Sequence, residues 1–341
     1  MKHPNSAHLE CLAELSARLG ANPLLSQAAS GNTSIKIGNT LWIKSSGAWL
    51  AHALREEIFV GVNVDAIRAS VMRDEEPESA PVSGKGRASV ETAMHSVLPD
   101  AVVIHVHSVN AIAWAVRRDG PVEVARRLAG IDWRWIPYVA SGLALARAVM
   151  AAVVQAPRTR VFLLANHGLV VTGPDIETAD ALLKEIEARL TIEPRRAPGP
   201  DIQALEHATD CPGWRMESRL RCHALASDGA TFEIVTSGIL FPCQAIFLAE
   251  NLPRLAPGGT VSGAFENSRF LLVENAGVLT SEQFSRTERE VLEGLAEVAL
   301  RVPDSGRVRY LTSREVDALL NADVYRYRGT VESNETRLSV R

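Results

Sequence analysis

The chain of 341 residues predicts an α/β fold in two parts, and three features of the sequence predict it. Short apolar runs of strand length alternate with stretches of helical periodicity as far as Leu190. The segment Glu193-Pro-Arg-Arg-Ala-Pro-Gly-Pro200 then reads as a linker, because its prolines exclude regular structure. After it the alternation begins again. The boundaries that follow are a first domain over 1–192, a linker over 193–200 and a second, smaller α/β domain over 201–330.

In order along the chain, Ser6 to Gly20 sets Leu9, Leu12, Leu15 and Leu19 at helical spacing, with Gly20 as the stop. Ala28 to Thr33 is a small-residue loop. Ile35-Lys36-Ile37 and Leu41-Trp42-Ile43, joined through Gly38-Asn39, predict a β-hairpin. Pro77 to Arg87, rich in Pro, Gly, Ser and charge, predicts an exposed loop, and a helix follows from about Ala88 to Leu98. Ala101 to His107 predicts a buried strand and Asn110 to Arg118 a helix. Val161 to Ala165 is a second apolar strand, broken by Asn166-His167-Gly168 and resumed at Leu169-Val170-Val171. Asp175 to Leu190 predicts a helix with Leu182, Leu183, Ile186 and Leu190 on one side. In the second part, Thr231 to Thr236 and Arg269 to Glu274 predict strands, and Ser281 to Arg301 and Ser313 to Asn321 predict helices.

The composition is that of a soluble, core-forming chain, 46% hydrophobic and 22% charged. A net charge of −4 supplies no basic field for nucleic acid or an anionic membrane. The most apolar stretch, Leu143 to Val154, is too short to span a bilayer and is interrupted by Arg147. No signal peptide is read at Met-Lys-His-Pro-Asn-Ser, and a cytoplasmic address is expected. Cys11, Cys211, Cys222 and Cys243 are scattered and form no disulfide framework. Cys222, His223 and Cys243 are poorly spaced for a metal and read as buried cysteines.

Chemistry concentrates in the first part. In Val103-Ile104-His105-Val106-His107, alternation points both histidines to one face, roughly 6.6 Å apart along a strand. Two imidazoles so placed can converge on one ion at about 2 Å, although the same pair also suits two ordinary core histidines. His167 follows an apolar strand at a place where a side chain can enter a cleft, and three imidazoles would leave a position open for substrate. Glu91 and His95 lie four apart and share a helical face. Glu91 suits a general base or a solvated glutamate, and His95 a packing histidine or an outer partner of the ligands. Ser30-Gly31-Asn32-Thr33-Ser34 and Ser45-Ser46-Gly47 suit either an anion nest or plain turns.

Taken in order, Gly31-Asn32-Thr33-Ser34, Ser46-Gly47, Ser89-Val-Glu91-Thr-Ala-Met-His95, His105-Val-His107 and Asn166-His167-Gly168-Leu169 resemble the class II aldolase/adducin family over about residues 6 to 190. The resemblance implies a three-layer α/β/α domain around a mostly antiparallel sheet. It implies Zn2+, or another divalent ion such as Mn2+ or Co2+, on His105, His107 and His167. Glu91 would be the catalytic acid/base and a fourth ligand at rest, with Gly31, Asn32, Ser46, Gly47 and Ser89 on the substrate.

The activity so implied is that of a lyase in carbohydrate metabolism. It would cleave a small hydroxylated carbonyl compound (a sugar, sugar acid or sugar phosphate) through a metal-stabilised enediolate, in a homotetramer with sites between subunits. Dehydration, epimerisation and decarboxylation use the same scaffold, and an adducin-like member binds a partner without chemistry. Some sugar-phosphate aldolases of the family carry two serines where Ser89-Val90 stands here, so Lys85 or Arg87 would have to replace one phosphate contact. A proton-donating tyrosine borrowed from a neighbouring subunit has no clear counterpart; Tyr138 is nearest. The part beyond Asp201 has no assigned chemistry.

Overall fold

A computed structural model describes residues 6–77, 81–209, 212–261, 265 and 267–321. Met1–Asn5, residues 78–80 of the segment expected to be a loop, Cys211 and the residues from 322 to the end of the expected second domain lie outside the described residues. In chain order the first part runs α1 (Ser6–Gly20), β1 (Asn32–Ile37), β2 (Thr40–Lys44), β3 (Phe59–Asn63), α2 (Val64–Met72), α3 (Thr92–Val97), β4 (Val102–Val106), α4 (Val109–Ala115), α5 (Gly120–Arg127), β5 (Trp133–Ile136), α6 (Leu143–Gln155), β6 (Val161–Leu164), β7 (Gly168–Gly173) and α7 (Ile176–Leu190).

These strands form one sheet in the order β3-β2-β1-β4-β7-β6-β5, antiparallel throughout except for the β5–β6 pair. Alternation assigns each residue a layer. Ile35, Val102, Ile104, Val106, Leu163 and Leu169 face a layer built on α1, α4, α5 and α7, with Leu12, Trp114, Val124 and Leu183. Val60, Val62, Val103, Phe162 and Val170 face the opposite layer of α2, α3 and α6, with Ile67, Met94 and Leu145. The three-layer α/β/α arrangement is therefore present. α1 and the β1–β2 hairpin stand where the sequence predicts them. Two helices are shorter than predicted: α3 starts at Thr92, after the turn in which Thr92 N–H reaches the Ser89 carbonyl, and α4 stops at Ala115.

The second part contains α8 (Ile202–Ala208), β8 (Trp214–Met216), α9 (Ala224–Ser227), α10 (Gly229–Thr236), β9 (Arg254–Leu255), β10 (Phe270–Val273), β11 (Gly277–Ser281), α11 (Arg286–Ala299) and α12 (Ser313–Asn321). Its sheet has the order β8-β11-β10-β9. Two expectations are corrected. Thr231 to Thr236 is helical, because Asp228 caps the run by accepting from Thr231 N–H and burial of Ile234 and Val235 outweighs their preference for strands. The helix expected from Ser281 begins at Arg286, behind a capping box of Ser285 and Glu288, and Gly277–Ser281 is instead a strand paired with β10. Residues 193–200 have no regular structure, yet the segment is anchored: Arg195 N–H donates to the Leu300 carbonyl and its guanidinium to Thr231 and Asp228. One apolar core joins the two parts, with Ala28, Trp49, Val109 and Ile112 packed among Leu225, Leu240, Phe247 and Leu292.

Candidate metal centre

The alternation that turns Val102, Ile104 and Val106 towards α1, α4 and α7 turns Val103 and His105 towards α3. His107 follows just beyond the end of β4. His167 arrives from the neighbouring strand pair, where Asn166, at φ +54°, turns the chain from β6 into β7. Because Leu169 is opposite Val106 and Val170 opposite His105, that turn lies beside the end of β4. The three rings meet edge to face, with centroids 5.1 Å (His105–His107), 5.0 Å (His105–His167) and 5.1 Å (His107–His167) apart. One nitrogen from each lies within 4.8 Å of the others.

Glu91, buried at the start of α3, faces two of these rings. Its Oε2 is 3.3 Å from His105 Nε2 and its Oε1 is 3.2 Å from His167 Nε2. Asn32 is opposite His105 in the β1–β4 register and so shares its face. Its Nδ2 donates to Glu91 Oε2 at 2.7 Å and to Ser89 Oγ at 3.2 Å. Ser141 Oγ donates to Glu91 Oε1 at 3.3 Å, and Glu91 N–H donates to Ser89 Oγ at 3.3 Å. The carboxylate is thus held by one donor on each oxygen, and the backbone behind it by Ser89.

Electrostatics favour neutral His107 and His167 beside an ionised carboxylate. Burial pushes His167 down to about 4, against the pull of Glu91, and pushes His107 well below its usual value with help from its two neighbours. For Glu91, burial acts upward, but His105, His167, His107 and the Asn32 donor outweigh it and hold the carboxyl below its usual range. This is the protonation pattern that a divalent cation requires of its ligands.

The donor set can be tested for such an ion. His105 Nδ1 stands 3.1 Å from the Leu169 carbonyl, to which it can only donate, so Nε2 carries the lone pair. That Nε2 is buried without a hydrogen-bond partner, and the nearby Glu91 oxygen is also an acceptor. With a neutral ring, two acceptors face each other in a buried site, and a cation between them would satisfy both. Three nitrogens and an adjacent carboxylate suit zinc, manganese or cobalt. The geometry can therefore hold a metal.

The small-residue segments divide. Gly31 has φ +67°, and a Cβ there would lie 2.7 Å from the His105 carbonyl oxygen, so glycine allows β1 to start against β4. Asn32, Thr33 and Ser34 are strand residues rather than loop, and Asn32 serves the Glu91 carboxylate. The amides of Ser45 and Ser46 donate to the carbonyls of Ile58 and Arg87, which ties this backbone to the fold. Gly47, at φ +75°, completes that turn. His95 lies outside the histidine set: its Nδ1 is 2.7 Å from Ser34 Oγ and burial pushes it down to about 3.

Sequence reasoning misses four participants. Lys44, fully buried, donates from Nζ to the Ala29 and Ala48 carbonyls at 2.7 Å each and so ties the two small-residue loops together. Burial lowers it to about 7, against the pull of Glu91 and Cys243. A lysine closing an apolar strand was the available signal. Ser141 and the Leu169 carbonyl offered none. Cys243 is buried with its Sγ 3.5 Å from His107 Nδ1, and burial pushes its thiol up to about 12. Nearby, Asn166 Nδ2 donates to the carbonyls of Leu240 and Arg309 at 2.8 and 2.7 Å. Cys222, also buried, lies apart, and its neighbour His223 accepts from Val278 N–H. Tyr138 packs beneath Arg309 on the side of the second part.

A Bacillus subtilis protein named "Uncharacterized oxidoreductase YuxG" is 30% identical over 178 residues, 47% of this chain and 26% of its own length. The chain thus spans about a quarter of that relative. Among solved structures, the N-terminal class II aldolase domain of a conserved Thermoplasma acidophilum protein is 22% identical with a TM-score of 0.48, covering 56% of this chain and 93% of that one. An L-fuculose 1-phosphate aldolase is 21% identical with a TM-score of 0.42, covering 54% and 84%. The family described as the Class II Aldolase and Adducin N-terminal domain matches residues 10–193. The chain belongs to the class II aldolase and adducin family.

Proposed function

We propose that this protein is a divalent-metal-dependent lyase that cleaves a small hydroxylated carbonyl compound, a sugar, sugar acid or sugar phosphate. The observation that carries this reading is the buried Glu91 carboxylate, clasped by Asn32 within 3.3 Å of His105 and His167. His105, His107 and His167 would hold the ion, which would supply Lewis acidity towards a substrate carbonyl. Glu91 serves as the acid/base. In the cleavage direction Glu91 takes up the hydroxyl proton, the carbon–carbon bond breaks, and Glu91 returns that proton to the carbon fragment. Asn32 and Ser141 fix the carboxylate so that this transfer needs no reorientation. Substrate contacts are assigned to Gly31, Asn32, Ser46, Gly47 and Ser89, and the assembly to a cytoplasmic homotetramer. The division into domains 1–192 and 201–330 belongs to the same proposal.

A second reading is a dehydratase, epimerase or decarboxylase acting on an unphosphorylated acid. It is favoured by Val90, whose 57% exposed apolar side chain stands where some family aldolases offer a hydroxyl to phosphate. A panel of sugar, sugar-acid and sugar-phosphate substrates, assayed with wild type and Glu91→Gln, tests the proposal. Carbon–carbon cleavage lost in a Glu91→Gln protein that still binds metal is the expected result. Full activity in that variant would remove Glu91 from the mechanism, and metal binding without turnover on any substrate would favour a binding protein.

A further inference from the structure

Among the described residues, the second part of the chain reaches the histidine set through Cys243, and the contact is specific. Cys243 begins a wide π-helical turn, Gln244–Leu248, of a kind often found at functional sites. The segment before it is fixed on both sides. Leu240 N–H donates to the buried Gln244 Oε1 at 2.9 Å, and the Leu240 carbonyl accepts from Asn166, which precedes His167. Leu311 N–H donates to the Ile239 carbonyl at 2.8 Å. Cys243 is therefore presented on a braced segment, 8% exposed, with its sulfur 3.5 Å from His107 Nδ1.

His105 and His107 then share a plan. His105 directs Nδ1 to the Leu169 carbonyl and keeps Nε2 for the centre; His107 has its Nδ1 against sulfur, which leaves Nε2 as its other ring nitrogen. A histidine that binds metal through one nitrogen characteristically donates from the other, and that bond sets both ring orientation and tautomer. We propose that Cys243 is a positioning residue for the metal centre, its sulfur accepting the His107 Nδ1–H so that Nε2 faces the ion. The second part of the chain thereby supplies a wall of the site in the first. This rests on the reading of the three histidines as metal ligands.

Cobalt(II) binding to the full-length protein tests it, through competition with a chelator and the visible spectrum of the bound ion. Cys243→Ala should weaken cobalt binding about tenfold or more and alter the spectrum, the range seen when such outer partners are removed. Cys243→Ser, which keeps an acceptor, should recover most of the affinity and the wild-type spectrum. Urea unfolding midpoints of both variants separate this from loss of the fold. Wild-type affinity and spectrum in Cys243→Ala would overturn the proposal. So would an intense near-ultraviolet sulfur-to-cobalt band in wild type, which would make Cys243 a ligand itself. Wild-type protein that binds no cobalt would instead refute the metal reading, and this inference with it.

Discussion

Replacing Gly31 with alanine tests how closely the start of β1 is built against the strand that carries His105. The backbone there lies at φ +67°, which costs an L-residue roughly 1–2 kcal/mol. The added Cβ would also meet the His105 carbonyl oxygen at 2.7 Å, and this neighbour is backbone that cannot rotate aside. Relieving such overpacking typically costs about 1–3 kcal/mol, so the total loss is about 2–5 kcal/mol. Gly38 provides the internal control, since it has φ +58° and nothing within 4 Å of its Cβ position. Gly38→Ala should lose only the conformational share, about 1–2 kcal/mol. Urea unfolding followed by tryptophan fluorescence gives both values, provided the slope is unchanged. If Gly31→Ala is no worse than Gly38→Ala, β1 and β4 are not in the contact described, and the placement of Asn32 beside His105 loses its support.

Other perturbations have equally definite outcomes. Burial, with Arg68 adding to it and Asp100 opposing, lowers Lys36 to about 7, so between pH 7 and 10.5 the unfolded chain binds more protons than the folded one. The stability of wild type relative to Lys36→Met should therefore rise by about 2 kcal/mol from pH 7 to 9, at about 1.4 kcal/mol per pH unit; urea midpoints that stay parallel would contradict it. Asn166→Gly keeps the left-handed turn but strips the Leu240 and Arg309 carbonyls of their donor, a loss of about 1–3 kcal/mol; Asn166→Ala should lose more, in the same unfolding assay. Ser285→Ala removes half of the capping box of α11 and should cost about 1 kcal/mol, measurable by thermal unfolding.

Much of the site was legible because strand geometry is so regular. The two-residue spacing of His105 and His107 is sufficient to place both on one face, and the apolar runs around Asn166-His167-Gly168 mark a strand broken there, though not that its halves fold back as the antiparallel pair β6–β7. The four-residue spacing of Glu91 and His95 left a solvated glutamate open, and only the family resemblance singled Glu91 out; its burial depends on β1 being paired with β4. Ser141, the Leu169 carbonyl and Cys243 were illegible for the same reason: each contact is made by tertiary packing, and Cys243 is 136 residues from His107. In the second part, local preference misled where burial decided. Ile234 and Val235 have strand-forming side chains, but the Asp228 cap and the surrounding core make their segment helical. The strand Gly277–Ser281 went unread, and the helix was started at its last residue because a serine suits a helix start, while the actual cap is Ser285.

Metal content, measured by elemental analysis of purified wild type beside His107→Ala, bears most directly on the central claim. About one divalent ion per chain in wild type, lost in the variant, is the result the arrangement of His105, His107, His167 and Glu91 predicts. No ion in either protein, even after incubation with zinc, manganese or cobalt, would mean that the three imidazoles converge for another reason and that the proposed lyase chemistry has no centre.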